Sequence, residues 1–126
     1  MIFISSACIK SKSIVEAVRQ IAEFGFCNIE LSGGTKYFKG YESGLISLKK
    51  EYNLNYQLHN YFPPPKKHFM LNLCSNDNEI QERSMKLCKE AIRLSNILGG
   101  KKYGIHAGFL IDFSAREAGK NIFKRK

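Results

Sequence analysis

Short apolar segments alternate with stretches of helical periodicity along this chain. The apolar segments predict four strands, over residues 2–7, 26–31, 54–59 and 102–107. Apolar positions recurring every three to four residues predict helices over about 14–24 and about 43–52, and a longer one that follows residue 76 and ends before residue 99. This β-α-β-α-β-α-β order is typical of a parallel sheet with right-handed crossovers. Two α/β architectures remain open: a small doubly wound sheet, and about four βα units of a (β/α) TIM-type barrel.

Capping residues set the expected helix boundaries. Ser13 and Glu16 match a capping box, in which the Ser13 hydroxyl caps the Glu16 amide and the Glu16 side chain reaches back to the Ser13 amide. Gly25 provides the stop for this helix, and Asn76 with Glu79 forms the cap pair of the third helix. The predicted buried face of the third helix comprises Ile80, Ser84, Leu87, Cys88, Ala91, Ile92, Ser95 and Leu98.

Composition narrows the class of protein. A length of 126 residues suits one small domain, expected over 1–126, and 44% hydrophobic with 25% charged residues excludes a disordered, collagen-like or coiled-coil chain. No apolar run reaches the roughly 20 residues of a membrane helix, and no basic segment precedes the apolar N-terminus as in a secretory signal. We therefore expect a cytoplasmic protein whose four cysteines are reduced, mostly buried thiols.

The net charge of +9 is concentrated toward the C-terminus. Residues 1–100 contain 13 basic and 9 acidic residues, whereas residues 101–126 contain 7 basic and 2 acidic ones. The mixed charge of the first hundred residues is typical of a solvated surface and makes nucleic acid the less favoured partner. Residues 110–126 are expected to form a basic loop or tail, which is either a phosphate-binding arm or a loop without its partner.

Polar residues end the predicted strands. Both architectures bind ligands at the carboxyl ends of parallel strands, where Ser5, Glu30, His59 and His106 fall. Burying Glu30 among apolar neighbours without a partner would cost several kcal/mol. We expect the carboxylate and the two imidazoles to converge, either as a hydrogen-bonded cluster or around a metal ion, since imidazole suits zinc, iron and manganese. The plain alternative for each is a hydrogen-bonded structural side chain.

The loops beside the strand ends are aromatic and proline-rich. Their rings could stack on a sugar or a base, or simply pack over the sheet: Tyr37, Phe38, Tyr41, Tyr61 and Phe62. Gly33-Gly34 matches no phosphate-binding fingerprint. His68 lies beside two lysines and is expected on the surface.

Several of these segments together resemble one family. The run His59-Asn60-Tyr61-Phe62-Pro63-Pro64, the segment 69–73, a long helix and then Gly104-Ile105-His106-Ala107-Gly108 are similar to the xylose isomerase-like TIM-barrel superfamily. Ile29-Glu30-Leu31 also fits. That superfamily contains sugar-phosphate isomerases and epimerases and the zinc-dependent abasic-site endonucleases (AP endonuclease family 2). The resemblance covers nearly the whole chain.

The resemblance implies a function and a set of site residues. It favours a sugar or sugar-phosphate isomerase or epimerase that moves a proton next to a carbonyl with a divalent metal (zinc, manganese or magnesium). Glu30, His59, Tyr61 and His106 would line the substrate pocket. The alternative is a zinc-dependent abasic-site endonuclease, in which His59 and His106 would be metal ligands. The acid and base residues stay unassigned, because in the isomerase branch they come mainly from the second half of the barrel.

Length is the departure from this family, since such barrels need about 250 residues. We therefore expect the N-terminal half of a barrel, which would expose two sheet edges and an apolar inner face. Such a half would self-associate or pair with a missing second half, and alone it would have little or no turnover. The remaining alternative is a non-catalytic domain, which would be either a remnant or a half-barrel that needs a partner chain.

Overall fold

The computed structural model describes residues 1–112, in which helices and strands alternate as the sequence predicts. The elements are β1 (Ile4–Ser5), a 3-10 turn (Ser6–Cys8), α1 (Ile14–Glu23), β2 (Asn28–Leu31), α2 (Tyr41–Tyr52), β3 (Asn55–His59), α3 (Asn78–Leu98) and β4 (Tyr103–Gly104). The strands β1 and β4 are shorter than predicted, and the segment 69–73 is a loop. Most of the predicted basic tail, from residue 113 onward, lies outside the described residues.

The four strands form one parallel sheet in the order β1-β2-β3-β4. This confirms the predicted α/β class. Each strand pairs with the next one along the chain, and the order lacks the reversal that defines a doubly wound sheet. Successive units of a (β/α) barrel have the same order. The α/β sheet is thus wound in one direction over residues 1–112.

Within residues 1–112, the helices α1, α2 and α3 all bury apolar side chains against the same face of this sheet. Ile29 and Leu31 of β2 and Tyr56 and Leu58 of β3 belong to one core with residues of α1, α2 and α3. Side chains alternate between the two faces of a strand, so every second residue contributes to this core. The apolar side chains of β2 and β3 therefore all point toward the helix layer.

The opposite face of the sheet is polar, and the expectation of an apolar inner face is wrong. On this face the Asn55 side-chain amide donates to Asn28 Oδ1 at 3.0 Å. At the next pair on the same face, Gln57 Nε2 donates to Glu30 Oε2 at 2.9 Å. Along β2 and β3, this face therefore lacks the apolar side chains that are typical of a parallel sheet covered on both faces. The same polar face continues to His59 at the end of β3.

The first helix confirms half of its predicted capping box. Ser13 Oγ accepts a hydrogen bond from the Glu16 amide at 3.4 Å, as expected. The Glu16 carboxylate instead accepts from Gln20 Nε2 at 2.7 Å, and the Ser13 amide donates to Ser11 Oγ at 3.1 Å. The predicted bond from the Ser13 amide to the Glu16 side chain does not form. The prediction was wrong because the Ser11 hydroxyl, two residues upstream, accepts from the Ser13 amide instead.

The third helix corrects two further predictions. Its cap is Asp77, not Asn76, because Asp77 Oδ1 accepts from the amides of Glu79 and Ile80 at 2.8 and 3.2 Å. Ile92 was placed on the buried face but is 58% exposed, and Leu94 is fully buried instead. The apolar stripe therefore centres on Ala91, Leu94 and Leu98. Ile92, one position after Ala91, is turned away from that stripe.

The cysteines are thiols, but most are not buried. Cys8, Cys27 and Cys74 are exposed, and only Cys88 is buried. The prediction of unpaired thiols holds, whereas that of mostly buried ones was wrong, because three of the four lie in turns and loops. Over the described residues, no helix combines the length and apolar content needed to cross a membrane.

Candidate functional site

A cleft of about 700 Å³ lies at the carboxyl ends of β1, β2 and β3. Three residues predicted as pocket residues, Glu30, His59 and Tyr61, line it. The topology explains their meeting, because the carboxyl ends of neighbouring parallel strands lie at one edge of the sheet. Glu30 pairs in register with Ser5 of β1 and with Gln57 of β3.

Glu30 has the polar partners that its predicted burial required. Its Oε2 accepts from Gln57 Nε2 at 2.9 Å, and its Oε1 accepts from Ser32 Oγ at 3.3 Å. His59 Nδ1 lies 3.5 Å from Glu30 Oε1, and the side chains of His59 and Glu30 are 39% and 23% exposed. The carboxylate is thus held from two sides while one surface of the pair still faces the cleft.

Serine hydroxyls extend this network to the first strand. Ser5 Oγ and Ser32 Oγ form a hydrogen bond of 2.9 Å, and the Ser32 amide donates to the buried Ser6 Oγ at 2.9 Å. The end of β1 is therefore fixed to the turn that follows β2. The predicted polar end of strand one is thus connected, through the serine hydroxyls, to the Glu30 carboxylate and the His59 imidazole.

Tyr61 forms a wall of the cleft, and its backbone has an uncommon conformation. It has a positive φ of 64°, and a Cβ at Gly33 would lie 2.8 Å from the Tyr61 Cβ. Only glycine at position 33 permits that approach of the two loops. The Tyr61 hydroxyl lies 3.9 Å from Met70 Sδ, and burial raises the pKa of Tyr61.

His106 is brought to His59 but not into the Glu30 network. It is exposed and lies two residues beyond β4, and its ring centroid is 5.8 Å from that of His59, with the rings nearly perpendicular. The described residues include no group of three or more His, Cys, Asp or Glu side chains that could hold a metal ion. Imidazole and carboxylate are suitable donors for a divalent metal. These residues alone nevertheless do not complete its coordination, and the predicted metal stays a prediction.

Sequence reasoning did not single out several residues that line the cleft or bond to its lining. Gln57 lies two positions before His59, so the period-two alternation of a strand could have placed it on the same face. Thr35 and Asn60 line the cleft, and their buried side-chain polar atoms have no hydrogen-bond partner within residues 1–112. Nothing in the sequence indicates this. His68 also lines the cleft and is exposed, as expected of a surface residue.

The aromatic loop residues divide into packing and exposed groups. Phe62 is fully buried and Tyr41 nearly so, and their rings make an edge contact with centroids 6.1 Å apart. The packing interpretation therefore holds for these two. Tyr37 and Phe38 are 39% and 36% exposed, so part of each ring is accessible to a ligand.

Comparison with known proteins adds no family assignment. The sequence matches no protein-family model, and a search of curated proteins finds no match either.

Proposed function

We propose that the strand-end cleft binds a polyhydroxylated small molecule, a sugar or sugar phosphate, and belongs to an isomerase or epimerase of the xylose isomerase-like kind. The observation that carries this proposal is the Glu30–His59 contact within a polar network at the carboxyl ends of parallel strands. Strands in chain order with every helix on one face also support a barrel-type arrangement. The chemistry would be proton transfer next to a carbonyl group.

The cleft residues can recognise a sugar by complementary hydrogen bonding. Hydroxyls of Ser5 and Ser32 donate and accept, and the carboxylate of Glu30 accepts, so each can pair with a sugar hydroxyl. Tyr61 and Phe69, which also line the cleft, offer apolar surface for the carbon-bound hydrogens of the ring. This mixture of a few convergent polar groups and aromatic walls is typical of small-molecule pockets.

The Glu30–His59 pair would handle the proton. Glu30 lies near Nδ1 of His59 and fixes the orientation of the ring, while Nε2 makes no hydrogen bond within residues 1–112. In the proposed step, Nε2 takes the proton from the carbon next to the carbonyl and an enediolate forms. Return of a proton to the neighbouring carbon gives the isomer, and return to the same carbon gives exchange or epimerisation. Glu30 is a positioning residue in this step.

A divalent metal remains part of the proposal only as an accompanying partner. Zinc, manganese or magnesium, when bound, would polarise the carbonyl oxygen. His59 and His106 are the residues we expect to contribute, together with donors that residues 1–112 do not supply. No part of the proton transfer above depends on it.

Deuterium exchange tests the proposal without requiring full turnover. The protein is incubated in D₂O with a panel of aldoses, ketoses and their phosphates, with and without Zn²⁺, Mn²⁺ or Mg²⁺, and loss of the carbonyl-adjacent proton is followed by NMR. We expect exchange with at least one sugar, abolished in His59→Gln and strongly reduced in Glu30→Gln. Glu23→Gln, at an exposed position outside the cleft, is the matched control and should behave as wild type. Absence of both binding and exchange across the panel would refute the proposal.

A further inference from the structure

A second concave surface, of about 920 Å³, lies between the proline loop and α3. We call it the basic groove. Apart from Pro65 and Phe69, its lining differs from that of the strand-end cleft. It is lined by six cationic side chains: Lys66, Lys67, Arg83, Lys86, Lys89 and Arg93. Nearly half of the 13 basic residues in positions 1–100 therefore line one groove.

The positive charge of this groove is only partly neutralised. Its two carboxylates, Glu42 and Glu90, both bind Arg93, at 2.6 and 2.7 Å. Arg83 lies 3.6 Å from Glu79, whose side chain is 80% exposed. None of the four lysines makes a salt bridge within the described residues. The lining side chains consequently give the groove a net charge of +4. Its four lysines are available to bind an anionic ligand.

The cations on α3 form a row. Arg83, Lys86, Lys89 and Arg93 recur every three or four residues, which places them along one side of the helix. Ten residues of helix rise about 15 Å, so the row spans several phosphate groups of an extended strand. Lys66 and Lys67 line the groove from the proline loop, and Arg83 Nη2 donates to the Lys67 carbonyl at 3.4 Å.

Aromatic rings stand beside two of these cations. The Arg83 guanidinium lies over the Phe69 ring at 4.4 Å from the centroid, and Lys66 Nζ lies over the Tyr37 ring at 5.3 Å. The Tyr37 side chain is 39% exposed. A guanidinium plane and an aromatic ring are both surfaces on which nucleobases stack. Cations interleaved with such surfaces are typical of grooves that bind single strands.

We propose that the basic groove binds a single-stranded polynucleotide. The lysines contact successive phosphates, while Tyr37 and the Arg83–Phe69 pair stack on bases. Charge alone would also suit an acidic peptide, but a peptide makes no use of the stacking surfaces beside the cations. This inference does not rest on the proposed sugar chemistry, because the ligand differs and the two surfaces share only Pro65 and Phe69.

The test is fluorescence anisotropy with a fluorescein-labelled 12-residue oligothymidylate at several salt concentrations. With about four phosphates contacted, the slope of log K against log salt is about −2.8, and affinity falls about 50-fold between 50 and 200 mM salt. Lys86→Ala/Lys89→Ala should weaken binding by about tenfold or more and make the slope shallower by about 1.4. Lys10→Ala/Lys12→Ala is the control, since it removes the same charge at exposed positions outside the groove and should bind nearly as wild type.

Stacking is tested separately by Tyr37→Ala. We expect about fivefold or greater loss of affinity with an unchanged salt slope, because the ring contacts a base and not a phosphate. Circular dichroism establishes that each variant is folded. No binding at 50 mM salt, or an equal loss in both lysine pairs, would overturn the proposal. Polyglutamate binding as tightly as the oligonucleotide, with no effect of Tyr37→Ala, would instead identify an acidic peptide as the occupant and likewise overturn it.

Discussion

Tyr56 joins the strand that ends at His59 to the helix layer, and we expect its hydroxyl to contribute to stability. It lies in β3, is 3% exposed, and donates a hydrogen bond to the Leu45 carbonyl of α2 at 3.2 Å. Burial raises the pKa of Tyr56 well above its usual value of 10. Replacing it by phenylalanine removes both the hydrogen bond and the titration and leaves the ring in place.

Loss of the hydrogen bond lowers the stability of the variant, whereas loss of the titrating group protects its stability at high pH. Below pH 9 only the hydrogen bond counts, and Tyr56→Phe should lower the free energy of unfolding by about 0.5–1.5 kcal/mol. Above pH 10 the unfolded chain releases the phenol proton while the folded chain keeps it, so the stability of the wild type falls as pH rises. By pH 11 this loss is on the order of 1 kcal/mol or more, and the variant does not suffer it. The two proteins should therefore be equally stable near pH 11, or the variant more stable.

Urea unfolding of both proteins between pH 8 and pH 11 measures this difference. Other groups that titrate in this range are common to both proteins and cancel in the comparison. Ile29→Val is the matched control, because Ile29 is fully buried, pairs with Tyr56 in register and has no titrating group. Its deficit of about 0.5–1.5 kcal/mol should stay constant with pH. A constant deficit for Tyr56→Phe as well would refute the assignment of a buried, protonated phenol.

Three further predictions concern the packing and capping of the helices and are tested by chemical denaturation. Leu94→Ala should cost about 2–5 kcal/mol, because Leu94 is fully buried in the main core. Asp77→Ala should cost about 0.5–2 kcal/mol, whereas Asn76→Ala should cost less than about 0.5 kcal/mol, and the reverse ranking would contradict the cap at Asp77. Gly44→Ala should cost about 1–3 kcal/mol because its Cβ would lie 2.6 Å from Val15 Cγ2. Adding Val15→Ala should then cost less than the sum of the two single changes, and full additivity would argue against that contact.

The element order could be predicted because the apolar pattern and the local turn signals agree. The helix starting at Ile14, for example, combines a capping serine with apolar residues at helical spacing, and it forms as expected. The Asp77 cap was missed because Asn, Asp and Ser are all good caps and several of them occur in succession before α3. Choosing among them depends on how the loop packs, which the local sequence does not encode.

Only part of the candidate site could be predicted from the sequence. Glu30 and His59 could be placed at neighbouring strand ends from the order of elements alone. The polar inner face was missed because each strand was treated as a uniformly apolar run, although Asn28, Asn55 and Gln57 alternate with the core residues. The basic groove was missed for a different reason. Its lysines and arginines come from a loop and a helix that only the folded chain brings together.

The most direct test of the strand-end cleft is an NMR titration that observes the histidine ring signals. Protein labelled with ¹⁵N-histidine is titrated with a ketopentose and its 5-phosphate, and the His59→Gln variant assigns the His59 signal. The account predicts that the His59 signal shifts in a saturable manner and that Glu30→Gln weakens the binding while Glu23→Gln does not. Ring signals of all three histidines that stay unchanged at millimolar sugar and sugar phosphate would contradict it.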